Sequence, residues 1–546
     1  MIGNIIIHPF ILNKHMKQIL KLWMLLLPMA VGFTACSDND NDDTAAAGTD
    51  DRAAYTIIYY AAGGSNVDQC ILPMVEDFYK ASAEAFQKVN VVVQYKFSTA
   101  DNLKKQYDGD DRRPIAENFT EDFRQQFGSR AVRWIVDPAK TLVSQIKEPA
   151  NLYGKENPDC TCPDSLTNFI KWAVKTCPAK KYILVINDHG HGFIPHEDLP
   201  DVTSTRGVVF DDGYMLPDGT TKKHFTIKNL TRAIRSSHVR FETIYMLACL
   251  MNNFAYQFEM KSLCNYTIAA TYTMPASGGA LNVLVEQFAQ PSVNVEQALT
   301  AYCKADVESW DKAWGITTDT PLYTDLTVTR TAALNNLGVV MREFTDRLCD
   351  VYQNGTDEQK VKIDKCTDEA IKVNMDYPYY DGAKYMRSIL EALPEVYEEV
   401  FFRRMSLLFN KAIVAQFRSK YLEAHDYQVD YSLLLGVDGS YSMLTWDSND
   451  ERWILKSRKR YCADGKTYVS NYAAPVNDGE EYNEMEPQPS DPWGSTLAET
   501  FEQTEFDKAV GWSRWLKLNR KEPSLFCPEG MNFVLPDGDV SDDPNL

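Results

Sequence analysis

Residues 183–190 (ILVINDHG) and residues 245–250 (YMLACL) decide how this chain is interpreted. Each stretch is an apolar run that stops at a chemically useful residue, His189 in the first and Cys249 in the second. A short, continuous apolar run is typical of a strand buried on both faces of a sheet. A cysteine and a histidine that end two such strands indicate a thiol nucleophile and its proton-handling partner. A buried structural cysteine beside a strand-end histidine is the alternative.

The segments around the pair alternate between strand and helix patterns. This order predicts an α/β fold with a mostly parallel sheet that helices cover on both faces. Catalytic residues of such sheets lie at the carboxyl ends of strands, so we expect His189 and Cys249 to meet at one sheet edge. Strands are predicted at 55–61, 89–97, 182–187, 243–248 and 266–271, and helices at 69–87, 166–177, 226–235 and 254–261, with Thr226 as a helix cap.

The pattern of apolar residues changes after about Arg330. Long helical patterns predict a helical region over 331–430, followed by a smaller α+β region over 431–546 with short strand-like runs. Individual helices are predicted at 331–352, 357–373, 383–393, 396–423 and 506–518.

The N-terminus has the pattern of a targeting signal. Basic residues precede the apolar run 22–33, and Thr34 and Ala35 follow before Cys36. This order resembles a bacterial lipoprotein signal, although Phe33 stands where leucine is usual. The resemblance implies a signal peptide over 1–36, a lipid on Cys36 and a membrane contact through that anchor.

An acidic tract comes directly after Cys36. SDNDNDD has nothing apolar to bury, so 37–53 is expected to be a disordered tether. The tract also resembles the acidic tag of surface-exported lipoproteins in Bacteroides-like bacteria. We therefore expect a protein of the cell envelope, anchored to the outer membrane, and leave open which side it faces.

The charge balance limits the partners. Among 546 residues, 76 are acidic and 56 are basic, which gives a net charge of −20. Nucleic acid needs a basic face, so it is not an expected partner. The twelve cysteines leave ten once Cys36 and Cys249 are set aside. They allow at most five disulfides of undefined pairing, and Cys160 and Cys162 lack the second pair that a zinc site would need.

The residues beside the pair suit acyl transfer. A thiol attacks as its thiolate, and a neighbouring histidine can take the proton and return it to a leaving amine. The developing oxyanion needs donors, and Gly190 offers a backbone N–H that no side chain obstructs. The N–H of Cys249 is the natural second donor.

Three motifs resemble the clostripain (C11) family of cysteine peptidases, which belongs to the caspase-like clan CD. They are DHGHG at 188–192, ACLM at 248–251 and AAGGSNVD at 61–68. The resemblance implies a caspase-like peptidase domain over 54–330. It makes Cys249 the nucleophile, His189 the general acid and base, and Gly190 an oxyanion donor. His191 falls on the variable position of the motif.

The chain departs from the family two residues before the cysteine. Members carry an aspartate there that helps bind a basic P1 side chain, whereas this chain has Leu247. An apolar residue cannot neutralise a buried arginine or lysine. Thr273 and Ser277 lie in YTMPASGG, where the family builds the rest of the pocket, and that segment has no carboxylate. We therefore expect a peptidase of protein or peptide substrates without strict Arg/Lys P1 preference.

Three further expectations concern activation and cofactors. Lys222 and Lys223 fall in a polar stretch where relatives cut themselves, but Leu247 makes self-cleavage there unexpected. No cofactor is expected, although calcium on the aspartates of 211–218 is left open because turns attract aspartate anyway. The chain is expected to be a monomer.

An inactive protein competes with the peptidase. A caspase-fold surface lipoprotein that captures peptides or glycans would also keep the fold, and Leu247 favours it. The intact His189, Gly190 and Cys249 favour the enzyme.

Overall fold

The computed structural model describes most of the chain after residue 51. Residues 1–51, which include the predicted signal, Cys36 and most of the predicted tether, lie outside the described residues, as do His191, Asp218 and Ser277. The described ranges are 52–64, 66–108, 114–154, 157–190, 192, 208–215, 222–275, 278–320, 322–371, 373, 379–435, 441–447, 452–461, 467–470, 502 and 504–518.

The described residues contain sixteen strands. They are β1 (Ala53–Ala62), β2 (Val89–Lys96), β3 (Ala131–Ile135), β4 (Leu152–Tyr153), β5 (Ala179–Asn187), β6 (Val208–Met215), β7 (Lys222–Phe225), β8 (Phe241–Leu247), β9 (Cys264–Ala269), β10 (Asp325–Arg330), β11 (Tyr379–Asp381), β12 (Ile413–Arg418), β13 (Ser432–Leu434), β14 (Tyr441–Asp447), β15 (Arg452–Tyr461) and β16 (Thr467–Ser470).

Helices connect and cover these strands. In the described residues the α-helices are Asp68–Asp77, Ala83–Phe86, Ala100–Asp108, Glu121–Phe127, Leu142–Ile146, Pro163–Thr176, Ile227–Ser236, Phe254–Met260, Leu281–Phe288, Val295–Ala313, Leu334–Asn354, Asp357–Asp368, Gly382–Ala392, Glu399–Ala412, Lys420–Ala424, Glu505–Val510 and Trp512–Leu518. The predicted cap is present, because the Thr226 side chain accepts from the backbone N–H of Asn229. In the described part of the chain, no helix combines the length and apolarity that crossing a membrane requires.

Nine strands form the main sheet, in the order β12-β10-β9-β8-β5-β1-β2-β3-β4. The central strands β2, β1, β5, β8 and β9 run parallel. The outer strands join antiparallel at both sides. The predicted α/β fold is confirmed, with its parallel part at the centre of the sheet.

Both faces of the sheet are buried, which explains the apolar runs of the central strands. Along β1, Ile58 and Tyr60 pack into the apolar cluster on one face, and Ile57 and Tyr59 pack into the cluster on the other. Strands β5 and β8 alternate in the same way. A strand buried on both faces has no position that favours a polar side chain.

The region predicted as helical contributes a strand to this sheet. The predicted helix over 396–423 is wrong in its second half, where β12 pairs with β10 along the sheet edge. Four of its six residues are apolar, and a short apolar run does not by itself separate a helix from a strand. The helices on either side, Glu399–Ala412 and Lys420–Ala424, are retained.

Two other differences have local causes. The arginine-rich stretch before Lys140 contains β3, because Arg133 buries its guanidinium over the ring of Tyr153 at 3.6 Å. The predicted helix over 506–518 is broken at Gly511, which adopts a left-handed conformation with φ of 72°. Glycine has no Cβ to oppose that conformation.

Candidate active site

The strand register brings the two key residues to one edge. In the parallel pair of β5 and β8, Asn187 lies opposite Leu247. His189 and Cys249 each follow two residues later, so they leave the sheet at the same level and on neighbouring strands. The expected meeting of the two strand ends is therefore present in the register.

Gly190 packs directly against the cysteine backbone. A Cβ built on Gly190 would stand 2.9 Å from the backbone nitrogen of Cys249 and closer still to its carbonyl oxygen. Real Cβ atoms essentially never approach backbone so closely, so only glycine fits without a shift. The Gly190 backbone thus lies where the sequence argument needs an N–H donor.

The Cys249 thiol is held among backbone N–H groups. The N–H of Met274 donates to its Sγ at 3.1 Å. Burial raises the pKa of the Cys249 thiol, and the N–H groups of Met274, Cys249 and Gly190 oppose that rise because they stabilise the thiolate. The sulfur therefore lies beside donors that would also stabilise negative charge on a substrate oxygen.

The backbone after the nucleophile makes a sharp turn. Leu250 has a positive φ of 62°, which is uncommon for a residue with a side chain. Its N–H donates to the carbonyl of Tyr272 at 2.9 Å, and the N–H of Asn252 donates to the carbonyl of Ala270 at 2.8 Å. These bonds join the turn to the segment that follows β9.

The same turn is supported from the C-terminal third. The buried Asn252 side chain donates to the carbonyl of Asp430 at 2.8 Å. The N–H of Ser432 donates back to the Asn252 carbonyl at 3.0 Å. Residues near 430 therefore contribute to the position of the turn that carries Cys249.

The His189 ring is positioned by the loop after β1. Its Nε2 lies 2.7 Å from Oδ1 of Asn66, and its ring edge meets the Phe210 ring with centroids 5.9 Å apart. Because Oδ1 can only accept, Nε2 carries a proton in this arrangement, and Nδ1 is the unprotonated nitrogen of the neutral ring. Gly64, with φ of 51°, allows the loop to approach, since a Cβ there would stand 3.0 Å from the ring.

Asp188 organises the backbone around His189. One carboxylate oxygen accepts from the N–H of His189 at 2.6 Å, and the other accepts from the N–H of Phe210 at 2.7 Å. The carboxyl is buried, and burial raises its pKa well above the usual range. Asp188 therefore links the histidine turn to β6, which also bridges to Gly190 through Val208.

A buried ion pair anchors β6 to the rest of the fold. The Lys96 ammonium lies 2.6 Å from one carboxylate oxygen of Asp211 and 2.7 Å from the other, and it also donates to Asn157 at 2.8 Å. The side chains are 2% and 0% exposed. The Asp211 carboxylate further accepts the N–H groups of Cys160 and Gly213 at 2.9 and 3.1 Å.

This pairing bears on the calcium expectation. Asp211 already faces a cation, and Asp212 accepts from the N–H of Thr99 and the amide of Asn102 at 3.0 and 2.5 Å. Within the described residues, no group of three or more His, Cys, Asp or Glu side chains converges as a metal site would require. The two described aspartates are bound to protein groups.

Two of the three predicted pocket residues have described positions. Leu247 is 5% exposed and packs into the apolar cluster on its face of the sheet. Thr273 is exposed, and its hydroxyl donates to the carbonyl of Tyr323 at 3.0 Å. Ser277, the third, lies outside the described residues.

Two carboxylates from distant segments lie near this pocket, which the sequence argument missed. A Cβ on Gly279 would stand 3.1 Å from Asp77 and 3.9 Å from Asp306. Asp77 pairs with Lys80. Asp306 accepts from the N–H of Ala280 at 2.7 Å and from two tyrosine hydroxyls at 3.0 Å, and burial raises its pKa to about 6. Both carboxylates are already bound to donors.

Other residues differ from their expected settings. Lys222 and Lys223 lie in β7, which pairs with β6, instead of in a polar loop. The nine described cysteines are all free, and Cys160 is buried. The contacts of Asn66 and Met274 were also missed, although Asn66 lies inside the quoted AAGGSNVD motif.

Comparison with known protein families agrees with the geometry of the site. The model of the Clostripain family, Peptidase_C11, matches residues 143–453, more than half of the chain. No curated protein matches the sequence.

Solved structures resemble the fold at low identity. A secreted C11 cysteine protease from Bacteroides thetaiotaomicron, in complex with an irreversible peptide inhibitor, is 13% identical with a TM-score of 0.50, over 84% of this chain and 99% of that chain. The secreted C11 protease iotapain from the same organism is 14% identical, with a TM-score of 0.45 over 67% and 87%. An inactive zymogen C11 protease from Parabacteroides distasonis is 13% identical, with a TM-score of 0.46 over 84% and 98%. On the family match, this chain belongs to the clostripain (C11) family of cysteine peptidases.

Proposed function

We propose that this peptidase is an endopeptidase that cuts peptide bonds through a Cys249–His189 dyad and a thioester intermediate. The register of β5 and β8 carries the proposal, because it places both residues two positions beyond paired strand ends. The packing of Gly190 on the Cys249 backbone adds the donors that acyl transfer needs.

The reaction follows from these positions. The Cys249 sulfur attacks the substrate carbonyl, a C–S bond forms, and the thiol proton passes to His189. The oxyanion is stabilised by the N–H groups of Gly190 and Cys249. The C–N bond then breaks as His189 gives its proton to the leaving amine. Water attacks the thioester with His189 as base, and the proton returns to the sulfur as the C–S bond breaks.

The histidine is needed because the thiol is not preformed as a thiolate. Burial raises the Cys249 pKa above its usual value, so the thiol is protonated near neutral pH. Proton transfer to His189 therefore accompanies attack, and Asn66 orients the ring for it through its contact with Nε2.

The P1 preference is for uncharged side chains. Leu247 packs into the apolar cluster, and the nearby Asp77 and Asp306 are already bound to other groups. A buried P1 cation would therefore lack a free carboxylate, and burying it would be costly. Cleavage profiling with a peptide library tests this point, and a strict Arg/Lys preference would contradict it.

An inactive peptide-binding protein is the second candidate. The observation that favours it is the burial of the Cys249 thiol, which raises its pKa and so disfavours the thiolate. Leu247 in place of the family aspartate also favours it. Such a protein would bind peptides without turnover.

A thiol-directed acyloxymethyl ketone probe separates the two candidates. The enzyme should be labelled and should cleave library peptides in the chain that lacks residues 1–36. Cys249→Ala should lose both properties, and His189→Ala should lose turnover while its fold remains. Absence of labelling and cleavage in the unsubstituted protein would support the binding protein.

We propose further that Cys36 carries a lipid that anchors the peptidase in the cell envelope. The apolar run before Thr34, Ala35 and Cys36 supports this placement. Metabolic labelling with a palmitate analogue tests it. Label that persists in Cys36→Ala would refute it, whereas protease accessibility on intact cells reports the exposed side.

A further inference from the structure

Five aromatic residues form a cluster beside the active site, which we call the aromatic platform. Tyr323 is its centre, with ring centroids 6.1 Å from Tyr272, 5.3 Å from Tyr421 and 6.2 Å from Tyr427. His425 completes it, 4.3 Å from Tyr421 and 5.9 Å from Tyr427. The rings of Tyr323 and Tyr427 are nearly parallel, at 28°.

The platform presents aromatic surface to solvent. Tyr323 is 44% exposed and Tyr427 is 42% exposed, whereas Tyr272, which packs against the Tyr323 ring, is buried at 8%. Aromatic rings lose much favourable burial when they remain exposed. A contiguous exposed apolar cluster is typical of a surface that a ligand covers.

The platform is held by backbone and buried polar contacts. Ser419 joins its two segments, since its N–H donates to the Thr324 carbonyl at 3.0 Å and its hydroxyl donates to the Leu322 carbonyl. Asp426 has a positive φ of 53°, which makes the turn between His425 and Tyr427. The rings are therefore preorganised, and a bound group need not order them.

The platform is continuous with the segment that contacts the thiol. Met274 donates its N–H to Cys249 Sγ at 3.1 Å, and the preceding residue, Thr273, donates its hydroxyl to the Tyr323 carbonyl at 3.0 Å. Tyr272 accepts the N–H of Leu250, in the turn after the nucleophile. One short segment thus connects the sulfur to the platform.

We propose that the aromatic platform binds an aromatic side chain of the polypeptide substrate, two to four residues from the scissile bond. Tyr272 lies two residues before Met274, whose N–H contacts the sulfur. An extended chain covers about 3.3 to 3.6 Å per residue, so a substrate residue two to four positions from the scissile bond spans a comparable distance. The near-parallel rings provide faces against which another ring stacks. This inference rests on the proposed function, because the substrate position is counted from the bond that Cys249 attacks.

Negative charge near Tyr421 and Tyr427 makes a cationic substrate side chain the competing occupant of the platform. Glu423 and Asp426 are exposed on the same segment, and tyrosine faces also attract cations. Within the platform, the Tyr323 ring contacts the Tyr421 ring edge to face and the Tyr427 ring nearly face to face. The hydroxyl oxygens of Tyr323 and Tyr421 lie 3.5 Å apart. The observations therefore favour ring stacking, and lysine-containing peptides provide the discriminating test.

Paired fluorogenic peptides test the platform in the active enzyme. They carry Phe, Ala or Lys at the second, third or fourth residue on either side of one cleaved bond. We expect Phe to raise kcat/KM over Ala roughly two- to tenfold at one position, mainly through KM. Tyr323→Ala and Tyr427→Ala should abolish this preference. Tyr323→Phe should keep it, as should Val400→Ala, a change at a 76% exposed side chain on another helix.

Peptide binding to Cys249→Ala keeps the test independent of turnover. Fluorescence anisotropy should show the same two- to tenfold preference for the Phe peptide, and the added Tyr323→Ala change should remove it. Equal affinity for Phe and Ala peptides would overturn the proposal, and so would tighter binding of the Lys peptide. If no peptide is cleaved but the Phe preference remains in binding, the proposed function fails and the platform stands.

Discussion

Replacing Lys96 with methionine should destabilise the protein more than the same replacement at any exposed lysine. Methionine keeps most of the side-chain volume but removes the cation that faces Asp211. Two N–H donors, from Cys160 and Gly213, remain for the carboxylate. A buried charge that loses its partner typically costs 3 to 5 kcal/mol.

Protonation sets a ceiling on this cost. Neutralising an ordinary aspartate, with a reference pKa near 3.9, costs about 4 kcal/mol at pH 7 and about 1.5 kcal/mol at pH 5, at 1.36 kcal/mol per pH unit. Lys96→Met should therefore lose about 3 to 4 kcal/mol in free energy of unfolding at pH 7. Roughly 1.5 to 2.5 kcal/mol of that loss should be recovered at pH 5, where neutralising the carboxylate costs only about 1.5 kcal/mol.

Urea unfolding at the two pH values measures this effect. Lys171→Met is the matched control, since Lys171 is exposed on the helix Pro163–Thr176. Lys96→Met combined with Asp211→Asn should regain most of the lost stability at pH 7, because no buried charge remains. A loss at pH 7 no greater than that of Lys171→Met, or one that does not shrink at pH 5, would refute the reasoning.

Three other changes address the site and its support. Gly190→Ala should lower kcat/KM at least 100-fold, because its Cβ meets the Cys249 backbone; unchanged kinetics with a native circular dichroism spectrum would contradict this. Asn66→Ala should lower kcat roughly tenfold by freeing the His189 ring, while alkylation of Cys249 stays unchanged; slower alkylation would point to a different role. The pKa of Asp306 is about 6 in the folded state and 3.8 in the unfolded state, so the folded state holds an extra proton below pH 6. Through this group, the free energy of unfolding of the wild type should fall by about 1.4 kcal/mol from pH 5 to pH 7.5. Asp306→Asn should reduce the slope by this amount in urea titrations, while Asp325 and Asp381, whose pKa values burial also raises to about 6, keep their contributions. An unchanged slope would exclude Asp306 as a source.

The parallel centre of the fold was predictable because its strands are buried on both faces. The alternation of Ile57 and Ile58 between two apolar clusters leaves a continuous apolar run, which a single sequence shows directly. The antiparallel edges were harder. β3 contains Arg133, and a charged residue argues against a buried strand when only the sequence is known. In the structure, its guanidinium stacks on the Tyr153 ring. β12 follows a helix without a break, so its sequence gives no turn signal.

The site also contains residues that the sequence could predict and residues that it could not. His189, Gly190 and Cys249 could be proposed from the sequence because each residue type has a distinct chemical use at a strand end. Their supports could not, since they are fixed by tertiary distance. Asn66 contacts His189 although the two residues are 123 positions apart in the sequence. Asp306 lies near the pocket on the helix Val295–Ala313, which is not part of any of the three motifs. Whether Leu247 sets P1 preference stays a prediction.

The contact between Asn252 and residues 430–432 has a consequence for biosynthesis. The chain emerges from the ribosome N-terminus first, so the turn that carries Cys249 exists long before Asp430 and Ser432 arrive to hold it. During that interval the thiol is present without its full support. The turn that carries Cys249 therefore gains these two hydrogen bonds only after most of the described fold has been synthesised.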